Sequence, residues 1–166
     1  RLKVMVEPLS EAVLAAMDEG TIPDGRPKGK ELVEKLIALG FERDEAKGVW
    51  NIYNRNILVD GTKGVQYLNE VEELVIQGFE EAMAKGPLAK EKVGGVKVTL
   101  TDATLHEDNI HRGPAQMLPA IKRSIYAAIL VAGDTLKEPR QKILIQTLQD
   151  YAGNVINMTN GKRGQL

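Results

Sequence analysis

The residue types best suited to chemistry lie in one polar segment, residues 105–116, which we call the histidine loop. It contains both histidines of the chain, with Glu107 directly after His106 and His111 five positions after His106. Two histidines and a glutamate form the zinc site of some hydrolases when the histidines lie four apart on a helix. On a helix, a spacing of five residues rotates the second ring roughly 140° away from the first. Because an irregular loop can still bring the rings together, a metal-dependent hydrolase using His106, Glu107 and His111 stays open.

The histidine loop also has the features of a binding segment. Arg112 carries a permanent charge, Gly113 permits close approach to the backbone, and Pro114 suits the first position of a helix. The backbone N–H groups and the dipole at a helix start favour phosphate. This predicts contact with an RNA backbone. In the alternative, Arg112 only pairs with Glu107 or Asp108, and the chain is a structural interaction module.

Apolar patterns on either side of the histidine loop predict the elements that position it. Val96, Val98 and Leu100 alternate with polar residues, which indicates a strand. The apolar residues from Met117 to Ile129 keep helical spacing, which predicts a helix. A loop between a strand and a helix lies at the rim of a rigid scaffold, where binding groups are commonly placed.

The rest of the chain follows similar patterns. They predict a strand at 2–6 ending at Pro8, helices at 10–20 and 32–40 with a loop at 20–30 between them, a helical turn at 43–47, a hairpin at 49–59 and a long helix at 64–85. The acidic residues of the long helix are interpreted as a solvated face: Glu70, Glu72, Glu73, Glu80 and Glu81.

The composition limits the possible functions. The chain has 22 Lys+Arg against 23 Asp+Glu, a net charge of -1, so any RNA contact must be local. It has no cysteine, which removes disulfides, zinc–thiolate sites and cysteine nucleophiles. No Gly-x-x-x-x-Gly-Lys-Ser/Thr loop is present, so no nucleotide chemistry is expected of this chain. Without an apolar run of ~20 residues, we expect a cytoplasmic protein that contacts no membrane.

A break at residues 133–139 predicts a domain boundary. Beyond it, Ile143, Ile145 and Thr147 alternate as in a strand, and a short helix is predicted at 152–158. This part is too short to bury its own apolar face, so we interpret it as the start of a second domain and expect its apolar residues to be exposed. The chain also begins at Arg1 without a methionine, which suggests a fragment of a longer protein.

The sequence His-Glu-Asp-Asn-Ile-His-Arg-Gly-Pro-Ala-Gln at 106–116 resembles the diphthamide loop of the elongation factor 2 family of translational GTPases. Pro114 and Ala115 match its archaeal form, since eukaryotic members have Gly-Gly there. The resemblance covers essentially the whole chain. Other matching segments are 6–9 (Val-Glu-Pro-Leu), 62–70 (Thr-Lys-Gly-Val-Gln-Tyr-Leu-Asn-Glu), 85–88 (Lys-Gly-Pro-Leu), 138–139 (Glu-Pro) and 162–164 (Lys-Arg-Gly).

The resemblance implies an α+β fold in two parts. Residues 1–136 would be domain IV, with a fold like ribosomal protein S5 domain 2. Residues 137–166 would be the truncated start of a ferredoxin-like domain V. By the same resemblance the parent protein promotes GTP-dependent translocation, and the tip of domain IV enters the decoding region of the small ribosomal subunit beside tRNA and mRNA. GTP and Mg²⁺ would bind a different domain, so no cofactor is expected for this chain.

The resemblance also assigns the site residues. His111 would be the histidine that diphthamide-synthesis enzymes convert to diphthamide. Its ring must be exposed, because the modification attaches a group to an imidazole carbon. The other residues of the loop are expected to shape it or to face RNA: His106, Asp108, Arg112, Gly113 and Gln116.

Overall fold

The computed structural model describes residues 1–27 and 29–165. Lys28, within the predicted loop at 20–30, and Leu166, at the end of the predicted second domain, lie outside the described residues. The chain forms two compact units, Arg1–Leu136 and Lys137–Leu166. The assignment of these units to domains IV and V stays a prediction.

The first unit contains four strands and five helices among its described residues. In chain order they are β1 (Leu2–Pro8), α1 (Glu11–Asp18), α2 (Lys30–Ala38), α3 (Arg43–Lys47), β2 (Val49–Tyr53), β3 (Asn56–Asp60), α4 (Leu68–Ala84), β4 (Val96–Ala103) and α5 (Pro114–Ala132). The strands form one mixed sheet in the order β1-β4-β3-β2. β4 pairs antiparallel with β1 and parallel with β3, while β2 and β3 form the predicted antiparallel hairpin.

Apolar side chains cover both faces of the sheet. Leu58 of β3 packs in a core with α4 and α5, whereas Ile57 and Val59 pack in a second core with α1 and α2. Successive residues of a strand point to opposite faces, so β3 is buried on both sides. The first core includes Phe79, Met83, Val98, Leu100, Ile121 and Ile125, and the second includes Val13, Leu36, Ala46 and Ile52. These packed layers hold the ends of β4 and α5 in place.

The structure mixes helices with a four-stranded sheet, in line with the α+β fold that the resemblance implies, and the likeness to ribosomal protein S5 domain 2 stays a prediction. The predicted start of the long helix at Gly64 is wrong, because α4 begins at Leu68. Tyr67 has left-handed backbone angles (φ 62°), which no residue inside an α-helix can adopt, so the helix cannot extend back through it.

The second unit contains a 3-10 turn, Gln149–Tyr151, and helix α6 (Ala152–Gly161). The predicted strand at 143–147 is wrong: these residues are irregular. A strand needs a hydrogen-bonded neighbour, and within residues 137–165 no other extended segment pairs with it. Apolar side chains of this unit are exposed as expected, including Ile143 and Ile145. A ferredoxin-like fold for this unit stays a prediction.

No helix in the described part of the chain has the length and apolar character required to cross a membrane.

Candidate functional site

The histidine loop begins just after β4 and runs into the first turn of α5. Its entrance is fixed at the sheet, where the backbone N–H of Thr104 donates to the carbonyl of Arg1 (2.8 Å) and the N-terminal amine of Arg1 donates to the carbonyl of Thr104 (2.8 Å). Its centre is a 3-10 turn, Asn109–Arg112. The strand and the helix therefore hold the two ends of the loop, as the sequence predicted, and the 3-10 turn between them was not predicted.

Asp108 organises the outer part of the loop. Its carboxylate accepts a hydrogen bond from the backbone N–H of Ile110 (3.0 Å), which caps the 3-10 turn, and its carbonyl accepts one from His111 N–H (3.2 Å). Its own backbone N–H donates to Nδ1 of His106 (3.0 Å).

The two imidazole rings are neighbours on the surface of the loop. Their centroids lie 4.6 Å apart with 65° between the ring planes, an edge-to-face arrangement. Both histidines are exposed. The irregular loop thus brings together two rings that a helix would have separated. Across residues 1–27 and 29–165, no three His, Cys, Asp or Glu residues are grouped so that they could hold a metal ion.

Arg112 points the opposite way, into the protein, and only 6% of its surface is exposed. Its Nη1 donates to the carbonyls of His106 (2.5 Å) and Glu107 (2.6 Å), and its Nη2 forms an ion pair with Glu70 of α4. The guanidinium carbon lies 4.3 Å from the centre of the Tyr67 ring. Successive residues of a 3-10 helix point about 120° apart, so an inward Arg112 leaves His111 directed outward.

The last residues of the loop begin α5. Gly113 is the N-cap of this helix, and Pro114 is its first residue, as predicted for Pro114. Gly113 has φ -74°, which any residue adopts, and a Cβ there would meet Gln116 Oε1 at 3.5 Å, an ordinary contact. The backbone of this turn therefore does not require glycine. Gln116 is exposed, and its backbone N–H donates to the Gly113 carbonyl (3.1 Å).

The structure brings two further residues to the site that the sequence prediction left out, Tyr67 and Glu70. The α4 glutamates lie at the surface as expected, with Glu70 and Glu73 exposed and the other three half-buried, and each also has a polar partner on another element. Glu70 pairs with Arg112, Glu72 and Glu73 with Arg26, Glu80 with Asn51 and Glu81 with Lys122. Tyr67 and Glu70 both lie in the family-like segment 62–70. That match was the available signal, although it does not say what the residues contact.

Comparison with known proteins gives a consistent result. A family model described as "Elongation factor G, domain IV" matches residues 20–133. The elongation factor 2 of Methanosphaera stadtmanae is 49% identical to this chain over 166 residues, that of Thermococcus onnurineus 51% over 167 and that of Pyrococcus furiosus 50% over 167. Each alignment covers 100% of this chain and 23% of the relative. The chain thus spans less than a quarter of the length of these relatives.

Proposed function

The chain belongs to the elongation factor G domain IV family, and from this we propose that it is part of an archaeal elongation factor 2 that promotes GTP-dependent translocation. In this proposal residues 1–136 are domain IV, and residues 137–166 are the start of domain V. GTP and Mg²⁺ bind another part of the parent protein, and this chain contributes no catalytic residue. The protein acts in the cytoplasm, on the small ribosomal subunit with its tRNA and mRNA.

One observation carries the assignment of the site: the exposed His111 lies beside an Arg112 that is buried and tied to the loop backbone. Chemistry on an imidazole carbon requires an accessible ring, and the arrangement supplies one on a fixed support. We therefore propose His111 as the residue that diphthamide-synthesis enzymes modify. His106 and Asp108 shape the loop through the bond between Asp108 N–H and His106 Nδ1.

The end of the unit that carries the histidine loop is also proposed to meet RNA. With a net charge of -1, this chain has no overall attraction for RNA, so the contact is expected to come from groups at this end. His111 and Gln116 are exposed here, and the first turn of α5 carries no acidic residue that would repel phosphate. A modified His111 would extend further from this surface.

Mass spectrometry of the protein purified from its own host tests the proposal. We expect an added mass confined to the peptide that contains His111, and fragmentation that places it on that ring. A His111→Ala variant made in the same host is the matched control and should lose the adduct completely. Unmodified His111 in the native protein, or an adduct on His106 instead, would contradict the proposed site.

A further inference from the structure

The structure assigns a positioning role to Tyr67 and Glu70 of the segment that opens α4: we propose that they fix His111 through Arg112. The inference rests on the proposed function for the importance of His111, and on geometry alone for the positioning. Neither residue belongs to the histidine loop, and Glu70 lies 42 residues from Arg112 in sequence. The argument concerns how a buried guanidinium is held and what it holds in turn.

The Arg112 guanidinium has three kinds of partner, whereas its Nε has no hydrogen-bond partner among the described residues. Two loop carbonyls accept from Nη1, the Glu70 carboxylate accepts from Nη2, and the Tyr67 ring lies against the guanidinium. A buried charge is costly unless it is paired and hydrogen-bonded. Glu70 is the only carboxylate that pairs with Arg112 among the described residues, so it supplies the charge that keeps this side chain inside.

Tyr67 occupies an unusual position for its residue type. Its backbone is left-handed (φ 62°), a conformation that disfavours bulky side chains, and the same segment uses glycine for it at Gly64 (φ 67°). At position 67 an aromatic residue has this conformation, and the centre of its ring lies 4.3 Å from the guanidinium carbon of Arg112. A desolvated cation on an aromatic face is stabilised electrostatically. The strained backbone is thus explained by the placement of the ring under Arg112.

These contacts lead directly to His111. Arg112 is its immediate neighbour, and the two carbonyls that Arg112 holds belong to His106 and Glu107, at the start of the loop. The Arg112 side chain thereby links the 3-10 turn to the start of the loop. Without Glu70, the guanidinium would be uncompensated and would turn toward water, releasing both carbonyls. His111 would then lose its fixed direction, although nothing that touches its ring had changed.

This geometry also separates two roles for Arg112. A phosphate ligand would project outward and would tolerate lysine, which is itself a good phosphate binder. An internal anchor needs the planar fork, because two separate nitrogens make the bonds: Nη1 to the two carbonyls and Nη2 to the carboxylate, which a single ammonium nitrogen does not reproduce. Arg112→Lys should therefore behave like removal of Glu70, and the two changes combined should cost little more than either alone.

The experiment uses the protein from its own host with Glu70→Ala and, as matched control, Glu81→Ala. Glu81 lies on the same helix and pairs with Lys122 (2.7 Å), away from the loop. Two quantities are measured: hydrogen exchange of the Asp108, Ile110 and His111 amides, and the fraction of His111 that is modified. Both glutamates are partly exposed, so both variants are expected to fold.

We expect Glu70→Ala to accelerate exchange of the three amides about tenfold or more, the scale of a lost hydrogen bond to a charged group. The modified fraction of His111 should fall, while Glu81→Ala leaves both quantities at the wild-type level. Equal behaviour of the Glu70 and Glu81 variants would overturn the inference. If native His111 carries no modification, the proposed function fails, and the exchange measurement still decides the positioning.

Tyr67 is tested by two substitutions. Tyr67→Phe keeps the ring and should leave exchange in the loop unchanged. Tyr67→Gly relieves the left-handed backbone but removes the ring, so it should loosen the loop even if the stability of the whole protein rises. A residue that only shapes the start of α4 would give the opposite result with glycine, namely unchanged or slower exchange in the loop.

Discussion

Arg112 and Lys97 are two largely buried cations, one on each side of most of strand β4. Lys97 lies at the start of β4, and Arg112 lies in the loop that follows the end of β4; their side chains are 17% and 6% exposed. Each pairs with glutamate, and each lies near an aromatic ring, Phe41 for Lys97 (5.6 Å) and Tyr67 for Arg112 (4.3 Å). The local chemistry is therefore similar at the two places.

The difference lies in what each cation joins. Lys97 binds only side chains in this cluster, Glu7 of β1 (3.0 Å) and Glu45 of α3, and so connects elements of regular structure. Arg112 also donates to two backbone carbonyls of an irregular segment, which has no ladder of its own to fix its shape. A buried cation stabilises the fold in the first case, and in the second it sets the conformation of a loop that presents His111.

The largest expected effect comes from Arg112→Ala. It leaves Glu70 without its cation and the carbonyls of His106 and Glu107 without their donor, so we expect the free energy of unfolding to fall by about 3 kcal/mol. Chemical denaturation measures this loss. In the full-length factor proposed above, under conditions where the variant is still folded, we also expect slower translocation, because His111 is no longer held in place. Wild-type translocation by a folded full-length factor that carries Arg112→Ala would contradict the proposed contrast with Lys97.

Lys97→Met should have a smaller and different effect. It removes the positive charge between Glu7 and Glu45 but keeps an apolar stem against Phe41, so we expect a loss of about 1 to 2 kcal/mol in the free energy of unfolding. Exchange of the amides in the histidine loop and the modification of His111 should match the wild type. A loosened loop in this variant would show that the two cations do not act separately.

The sequence predicted those features of the site that depend on local residue patterns. The alternation before the histidine loop and the helical spacing after it predicted the elements that hold it, and the family-like segments predicted its identity. The strand predicted from the alternation at Ile143, Ile145 and Thr147 was wrong, because a strand depends on a paired neighbour that a local pattern does not reveal. The predicted start of α4 was wrong for a similar reason, because the spacing of apolar residues does not indicate the left-handed backbone at Tyr67.

Glu70 shows why the support of the site was not predicted. On its own helix it is one of several glutamates on a polar face, the usual pattern of a solvated surface. Its partner lies 42 residues away, and only the packing of α4 against the rest of the unit brings the two together. Arg112 itself was singled out for its charge, but the sequence left open whether that charge faced RNA or the protein. Burial decided the direction.

The smallest predicted effect concerns pH and separates the two cations by their proton equilibria. Burial alone would lower the pKa of Lys97, but hydrogen bonds and attraction to Glu45 and Glu7 outweigh it, so that this pKa is raised. Stability from a raised pKa is fully present below the unfolded value of about 10.4 and is lost as pH rises through the folded value. Arginine keeps its charge over this range.

The stability difference between wild type and Lys97→Met should therefore shrink as the pH is raised from about 9 to about 12. Denaturation curves at each pH measure it, and other titrating groups cancel in the difference. The Lys97→Arg variant has a side chain that keeps its proton in this range, so the difference between its free energy of unfolding and that of Lys97→Met should not change. For Arg112, two proteins that both carry Tyr67→Phe are compared, one with Arg112 and one with Arg112→Ala, so that the phenol of Tyr67 is absent from both. The difference between their free energies of unfolding should not shrink as the pH rises. Parallel loss at both positions would mean that alkaline pH loosens the unit as a whole and not the Lys97 cluster.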